Sequence, residues 1–180
     1  SLGHKIIHIP TLKISSLKIN SVDLSKYDAL IFTSANAIRN LNIINQDANK
    51  LCFCVGSITE KIARNRGYNN TISAGGNINA LKNLIIHSEK VSNKSKIAYF
   101  SGDNLTSELD HELNKEGLNI EKIINYTSEK ITDLNEENKK ILNNYPPDII
   151  FVYSARSAES FIEISKNYSL HPLMTGSKVM

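Results

Sequence analysis

What most constrains this chain is an alternation. Short runs that are almost continuously apolar, at residues 4–9, 29–33, 51–55, 71–74, 96–100, 120–126 and 148–153, are separated by stretches with apolar residues at helical spacing. Strands exposed on one face read as apolar and polar by turns. Near-continuous apolar runs are those of strands covered on both faces, as in parallel sheets. Single helices between such strands imply right-handed crossovers and an α/β fold.

The helices carry their own signals. Residues 34–44 place Ala37, Ile38, Leu41 and Ile44 on one helical face. Ser57 and Glu60 have the form of a capping box, and Gly67 closes the helix that follows. Further helices are expected over 77–89, from about Asn104 to Gly117, from 133 toward the prolines at 146–147, and over 154–164. Asn, Ile and Lys recur throughout, so Asn is a weak capping signal in this chain.

Five of the strands fall between residues 28 and 126, enough for a complete small lobe. The remainder offers two strands and the beginning of another near 176–180. The expected architecture is therefore bilobal: a complete α/β lobe at 13–126, and a discontinuous, partial α/β lobe from 1–12 and 127–180. Two crossing connections, near Pro10–Ile14 and Tyr126–Lys130, would join them as a two-stranded linker.

In open parallel sheets, ligands sit beyond the carboxyl ends of the strands, where helix N-termini point. The sequence fills those corners with small and hydroxylic residues: Thr33, Ser34 and Asn36; Gly56, Ser57 and Thr59; Gly75, Gly76 and Asn77; Ser101, Gly102 and Asn104; Ser154, Ala155 and Arg156. Any one Ser, Thr or Asn at a helix start is by default an N-cap. Several corners together suit a ligand bearing many carboxylates or phosphates, held by backbone N–H groups and helix dipoles. One corner is duplicated: DALIFTSA at 28–35 returns as DIIFVYSA at 148–155, with an Asp six residues before a Ser-Ala pair in each.

Several chemistries are excluded. There is no Walker loop, nucleophile elbow or dinucleotide fingerprint. His4, His8, His87, His111 and His171 are scattered, with no metal-ligand spacing, and no cofactor is implied. Cys52 and Cys54 alternate on one strand face, where a disulfide between them is strained; they read as reduced core cysteines of a cytoplasmic protein. The net charge of +3 is spread without a basic stripe, which argues against nucleic acid as a partner. No apolar run approaches the ~18–20 residues of a membrane helix, and the N-terminus has too short an apolar core for a signal peptide. Tyr126 stands apart, because it ends a strand where the chain leaves the complete lobe. A phenol there can donate a hydrogen bond without being ionised.

These motifs carry a resemblance. Residues 28–38 (DALIFTSANAI), 53–59 (FCVGSIT), 73–81 (SAGGNINAL), 99–104 (YFSGDN), 119–126 (NIEKIINY) and 148–155 (DIIFVYSA) resemble, in that order, the uroporphyrinogen-III synthase family. The resemblance implies a bilobal protein of two flavodoxin-like parallel-sheet lobes on a two-stranded linker, acting as a monomer. It also implies a cofactor-independent lyase of tetrapyrrole biosynthesis. Its substrate would be hydroxymethylbilane, a linear polycarboxylate bound in a cleft, cyclised with inversion of ring D and loss of water. By resemblance Tyr126 is the acid for the departing hydroxyl. Ser34, Thr59 and Ser154 would line the cleft, with Thr33, Asn36, Ser57, Gly102 and Ala155 at the same corners.

The pattern departs from the family in two respects. Relatives carry Pro or a basic residue in the first corner, whereas here Arg156 in the second copy is the basic one. The family's opening strand and its last cleft element are also not found between Ser1 and Met180. The expectation is a fragment whose first lobe is incomplete and destabilised, with weak or no activity. The alternative reading is a non-catalytic bilobal module whose corners hold an anion.

Overall fold

The computed structural model describes residues 3, 5–104, 108–170 and 176–180. His4 and His171, and part of the helix expected from Asn104, lie outside these. In chain order the strands are β1 (Leu12–Ser16), β2 (Val22–Asp23), β3 (Ala29–Phe32), β4 (Ile43–Ile44), β5 (Leu51–Cys54), β6 (Thr71–Ser73), β7 (Lys96–Gly102), β8 (Asn119–Lys130), β9 (Ile149–Ile150) and β10 (Lys178–Val179). The helices are α1 (Ala35–Arg39), α2 (Ser57–Asn65), α3 (Ile78–Ile86), α4 (Leu109–Lys115), α5 (Glu136–Asn144) and α6 (Ala155–Asn167).

The chain divides into two units: Ile14–Thr127, and a second drawn from Ser1–Lys13 and Ser128–Met180. It passes between them inside β1 and inside β8. These strands are neighbours in a six-stranded sheet of order β1-β8-β7-β3-β5-β6. Leu17 N–H donates to the Asn125 carbonyl and Ile131 N–H to that of Thr11, so the pair runs antiparallel.

Strands β8, β7, β3, β5 and β6 are parallel throughout. Burial on both faces explains their apolar runs. Leu30, Phe32, Cys52, Cys54, Ala98 and Phe100 point to one core, completed by Ala37 and Ile38 of α1 and Ala63 of α2. Ala29, Ile31, Leu51, Phe53, Ile97 and Tyr99 point to the other, under Leu81 and Ile85 of α3 and Leu109 and Leu113 of α4. The period of two in strand side chains thus sorts one run between two helical layers.

α2 and α4 end alike. Tyr68 N–H reaches the Ala63 carbonyl and Gly67 N–H that of Arg64; Leu118 and Gly117 repeat the pattern on Leu113 and Asn114. This double closure needs a left-handed residue, and Gly67 has φ 102°.

The second unit has its own small core of Leu134, Leu142, Ile164 and Leu170, against which Ile9 and Tyr168 pack. Ser160 Oγ lies 2.7 Å and 2.8 Å from the carbonyl oxygens of Thr11 and Ile131, fixing α6 to the chain on both sides. Among the described residues no helix is long and apolar enough to cross a membrane.

Four local expectations are corrected. Residues 5–9 form no strand: Ile6 is exposed, and the ladder begins only past Pro10, which has no N–H to donate. The helix expected over 34–44 stops at Asn40, whose side chain donates to the Asn36 carbonyl at 2.8 Å and competes with the helix ladder. Ile43 and Ile44 instead pair in parallel with Val22 and Asp23. Ser57 and Glu60 make no capping box: Gly56 is the N-cap, and Glu60 turns to Arg64 and Thr71. The run at 148–153 yields only the two residues of β9, since β10 offers just two partners; Phe151 and Tyr153 stay exposed.

Candidate functional site

Because β7, β3, β5 and β6 are parallel, their carboxyl ends share one edge of the sheet. From β3 the chain winds outward to β5 and β6, then returns to place β7 on the other side of β3. A sheet that reverses direction in this way opens a crevice at the reversal, bounded by the turns after the two central strands.

After β3, Thr33 Oγ1 lies 3.1 Å from the Tyr99 hydroxyl, a hydrogen bond across the reversal. Tyr99 is wholly buried, and burial raises the pKa of its phenol. Ser34 caps α1 by accepting from Asn36 N–H at 3.1 Å, and Asn36 Oδ1 accepts from Arg39 at 3.2 Å. All three sequence candidates at this corner are therefore held by internal partners, and α1 itself is a helix of five residues.

The corner after β5 differs. Gly56 is extended and supplies no side chain to cap α2. The first-turn N–H groups of that nine-residue helix keep their hydrogen-bonding capacity and the positive end of its dipole. They face an open depression of about 350 Å³ lined by Gly56, Ser57, Thr59, Ser73, Gly75 and Gly76. Gly76 N–H donates to the Val55 carbonyl at 2.7 Å, drawing the β6–α3 turn onto the β5–α2 turn. A Cβ on Gly56 would meet Gly76 Cα at 3.2 Å, so the close approach depends on the bare Cα of Gly56, whereas Gly76 is called for by its φ of 111°. α3 has an ordinary cap, Asn77 Oδ1 accepting from Ala80 N–H at 2.8 Å. Ser57 and Thr59 thus share one hollow, whose walls also include the apolar Val55 and Ile58.

At the end of β7, Ser101 is buried with no partner for its hydroxyl among the described residues. Gly102 follows, directly against the ring of Tyr126 on β8. Tyr126 is 7% exposed and packs in the core beneath α1 and α2. No hydrogen bond to its hydroxyl occurs among the described residues.

In the other unit, Ser154 caps α6, accepting from Ser157 N–H at 3.1 Å. Ala155 opens that helix, and Arg156 donates to the Ser128 carbonyl at 2.6 Å. Its Nε is buried and unpartnered among the described residues. Among these residues no group of three or more His, Cys, Asp or Glu is placed to hold a metal ion.

Sequence reasoning missed Tyr99 and Asn125. Tyr99 sits in a run that reads as core, and only the register of β3 against β7 brings it to Thr33. Asn125 is wholly buried and donates from Nδ2 to the Ala37 carbonyl at 2.7 Å. In a chain this rich in Asn, its neighbourhood carried no signal.

The family model described as uroporphyrinogen-III synthase HemD matches residues 1–179. A search of curated proteins returns no match. Among solved structures, uroporphyrinogen-III synthetase from Helicobacter pylori is similar at 17% identity and TM-score 0.62, over 94% of this chain and 83% of that one. A mutant uroporphyrinogen III synthase from Thermus thermophilus is similar at 13% identity and TM-score 0.57, over 99% of this chain and 75% of that one. The wild-type Thermus thermophilus enzyme gives 14% identity and TM-score 0.51, over 95% of this chain and 72% of that one. At such identities the structural likeness speaks to fold, and the family model carries the assignment.

Proposed function

The chain belongs to the uroporphyrinogen-III synthase family, and on that premise we propose how its residues serve the family reaction. That reaction closes hydroxymethylbilane to uroporphyrinogen III with inversion of ring D and loss of water. The family match over residues 1–179 is the observation that carries this reading, and it supports an enzyme over a non-catalytic anion-binding module.

The substrate is a flexible polycarboxylate, so binding and folding it are most of the task. Uncapped amides at the start of α2, with Ser57 and Thr59, hold carboxylate groups in the hollow beside Gly75 and Gly76. Support comes from the missing side-chain cap at Gly56 and the positive helix end. Thr33, Ser34 and Asn36 already have internal partners, so they shape the neighbouring corner and offer backbone more than side chain. Ser154 and Ala155 open α6 as the corresponding anion-holding corner of the other unit.

Tyr126 is the acid. Its phenol donates a proton as the terminal C–O bond breaks, and water departs. The electron-poor methylene is attacked by the substituted α-carbon of ring D, giving a spiro intermediate. That carbon's older bond to the bridge from ring C then breaks, and the freed methylene is re-attacked through the unsubstituted α-carbon of ring D, which inverts that ring. The proton lost from that α-carbon as the ring D pyrrole regains aromaticity restores the phenol, so only water leaves overall. Support comes from a Tyr hydroxyl with no hydrogen-bonding competitor among the described residues. Free, buried Cys52 and Cys54 support a reducing, cytoplasmic setting.

Incubation with hydroxymethylbilane tests the reading. The III isomer is expected from the parent protein, against the I isomer of uncatalysed closure. Tyr126→Phe is expected to slow III formation by roughly 100-fold or more. Unchanged turnover in that variant would remove Tyr126 from the acid role, and I isomer alone from the parent would remove the reaction.

A further inference from the structure

The placement of Tyr126 depends on an irregularity in the sheet. Ser101 of β7 pairs with Ile124 of β8, yet Gly102 pairs with Tyr126, so Asn125 is an extra residue in the ladder. Such a bulge breaks the alternation of side chains and re-aims one of them. Here Asn125 reaches Ala37 of α1, and Tyr126 joins the core on that same side of the sheet. The main chain is fixed beyond the bulge by Asp103 N–H donating to the Tyr126 carbonyl at 3.1 Å.

Gly102 lies under the phenol. A Cβ there would stand 2.7 Å from Tyr126 Cζ, 2.8 Å from Cε2 and 3.0 Å from the hydroxyl oxygen. Gly102 is not among the glycines with positive φ, so its backbone would accept any residue. What the position cannot accept is a side chain, and the atoms that forbid it are the reacting end of Tyr126.

We propose that Gly102 is a positioning residue, whose bare Cα forms the seat that sets where the Tyr126 hydroxyl stands. The proposal rests on the reading of Tyr126 as the acid. It replaces a substrate contact at Gly102 with an action through the tyrosine. With strand hydrogen bonds on both sides of the contact, a methyl at 102 is relieved by rotation of the ring, which carries the hydroxyl away from the leaving group.

The test is a cycle of Gly102→Ala, Tyr126→Phe and the double variant. It is read by III-isomer kinetics and by NMR of protein labelled at tyrosine Cζ, the Tyr126 line being the one lost in Tyr126→Phe. Gly102→Ala is expected to lower kcat roughly 10- to 100-fold with KM little changed, to move the Tyr126 line, and to add no further loss in the Phe background. A Tyr126 line that does not move, or losses that multiply in the double variant, would overturn the proposal. If Tyr126→Phe alone keeps full turnover, the acid reading fails, and the seat is then judged by the Tyr126 line alone. Should Gly102→Ala fail to fold, it is combined with Tyr126→Leu, which lacks the clashing ring atoms. Recovery of folding is expected, and its absence overturns the seat.

Discussion

Asn125 and Ala37, 88 residues apart in the chain, are joined by a 2.7 Å hydrogen bond from the Asn125 amide to the Ala37 carbonyl. This bond ties the bulge of β8 to α1, the helix opened by Ser34. Asn125 is completely buried, and removing its side chain leaves a carbonyl facing a small void. Asn125→Ala is expected to lower stability by about 2 kcal/mol. Urea unfolding of the two proteins checks it, and an unchanged midpoint would mean that α1 is held by its apolar contacts alone.

A carboxylate near the hollow makes stability depend on pH. Glu60 of α2 accepts from Arg64 at 2.9 Å and from Thr71 of β6 at 2.9 Å. The guanidinium and the hydroxyl together hold its carboxyl below the ordinary 4.5. A group with a lowered folded pKa stabilises above its unfolded value and loses that contribution as pH falls through the folded one. Glu60→Gln is therefore expected to cost about 1 kcal/mol at neutral pH. The two proteins should converge as pH falls through the lowered folded value, and a difference that persists once the carboxyl is protonated would assign the effect to packing.

The two thiols offer a probe of the core. Cys52 and Cys54 are free and have no exposed surface. Burial pushes the Cys54 thiol up to about 12 and that of Cys52 higher still. Because the thiolate is the reactive form, neither should react with a disulfide reagent at neutral pH while the protein is folded. Two equivalents should appear in denaturant. Rapid labelling of the native protein would show that the face under α1 and α2 opens.

How much of this was legible follows from where the physics is local. The strands of the larger unit are two-faced, so their apolar runs announced them, and Gly67 and Gly117 marked helix ends because only a left-handed residue closes them. Ser34 and Ser154 cap their helices as N-terminal hydroxyls do. What escaped depends on partners distant in sequence. DIIFVY at 148–153 matches its counterpart in composition, but its ladder partners are the residues at 178–180, and only Ile149 and Ile150 form a strand. The bulge at Asn125 is a property of the register between β7 and β8, which no local pattern encodes. Glu60 looked like half of a capping box, but it pairs with Arg64 one turn further along the same helix and with Thr71 of β6, which becomes a neighbour only in the fold.

Thr59 separates binding from architecture at the hollow. It lies in the first turn of α2, 6% exposed, on the wall of the depression beside Gly75 and Gly76. Thr59→Val keeps the shape and β-branching, so helix packing is preserved while the hydroxyl is lost. If that hydroxyl holds a substrate carboxylate, kcat/KM for hydroxymethylbilane should fall about tenfold, equivalent to about 1.4 kcal/mol. A control comes from Asn135, whose side chain caps α5 by accepting from Asn138 N–H at 2.7 Å and which is not one of the proposed site residues. Asn135→Ala is expected to cost about 1 kcal/mol of stability. Steady-state kinetics and urea unfolding on both variants decide the matter. Thr59 is a binding residue if its loss appears in kcat/KM without a matching loss of stability. It is a structural one if Thr59→Val behaves like the cap, losing stability while kinetics hold.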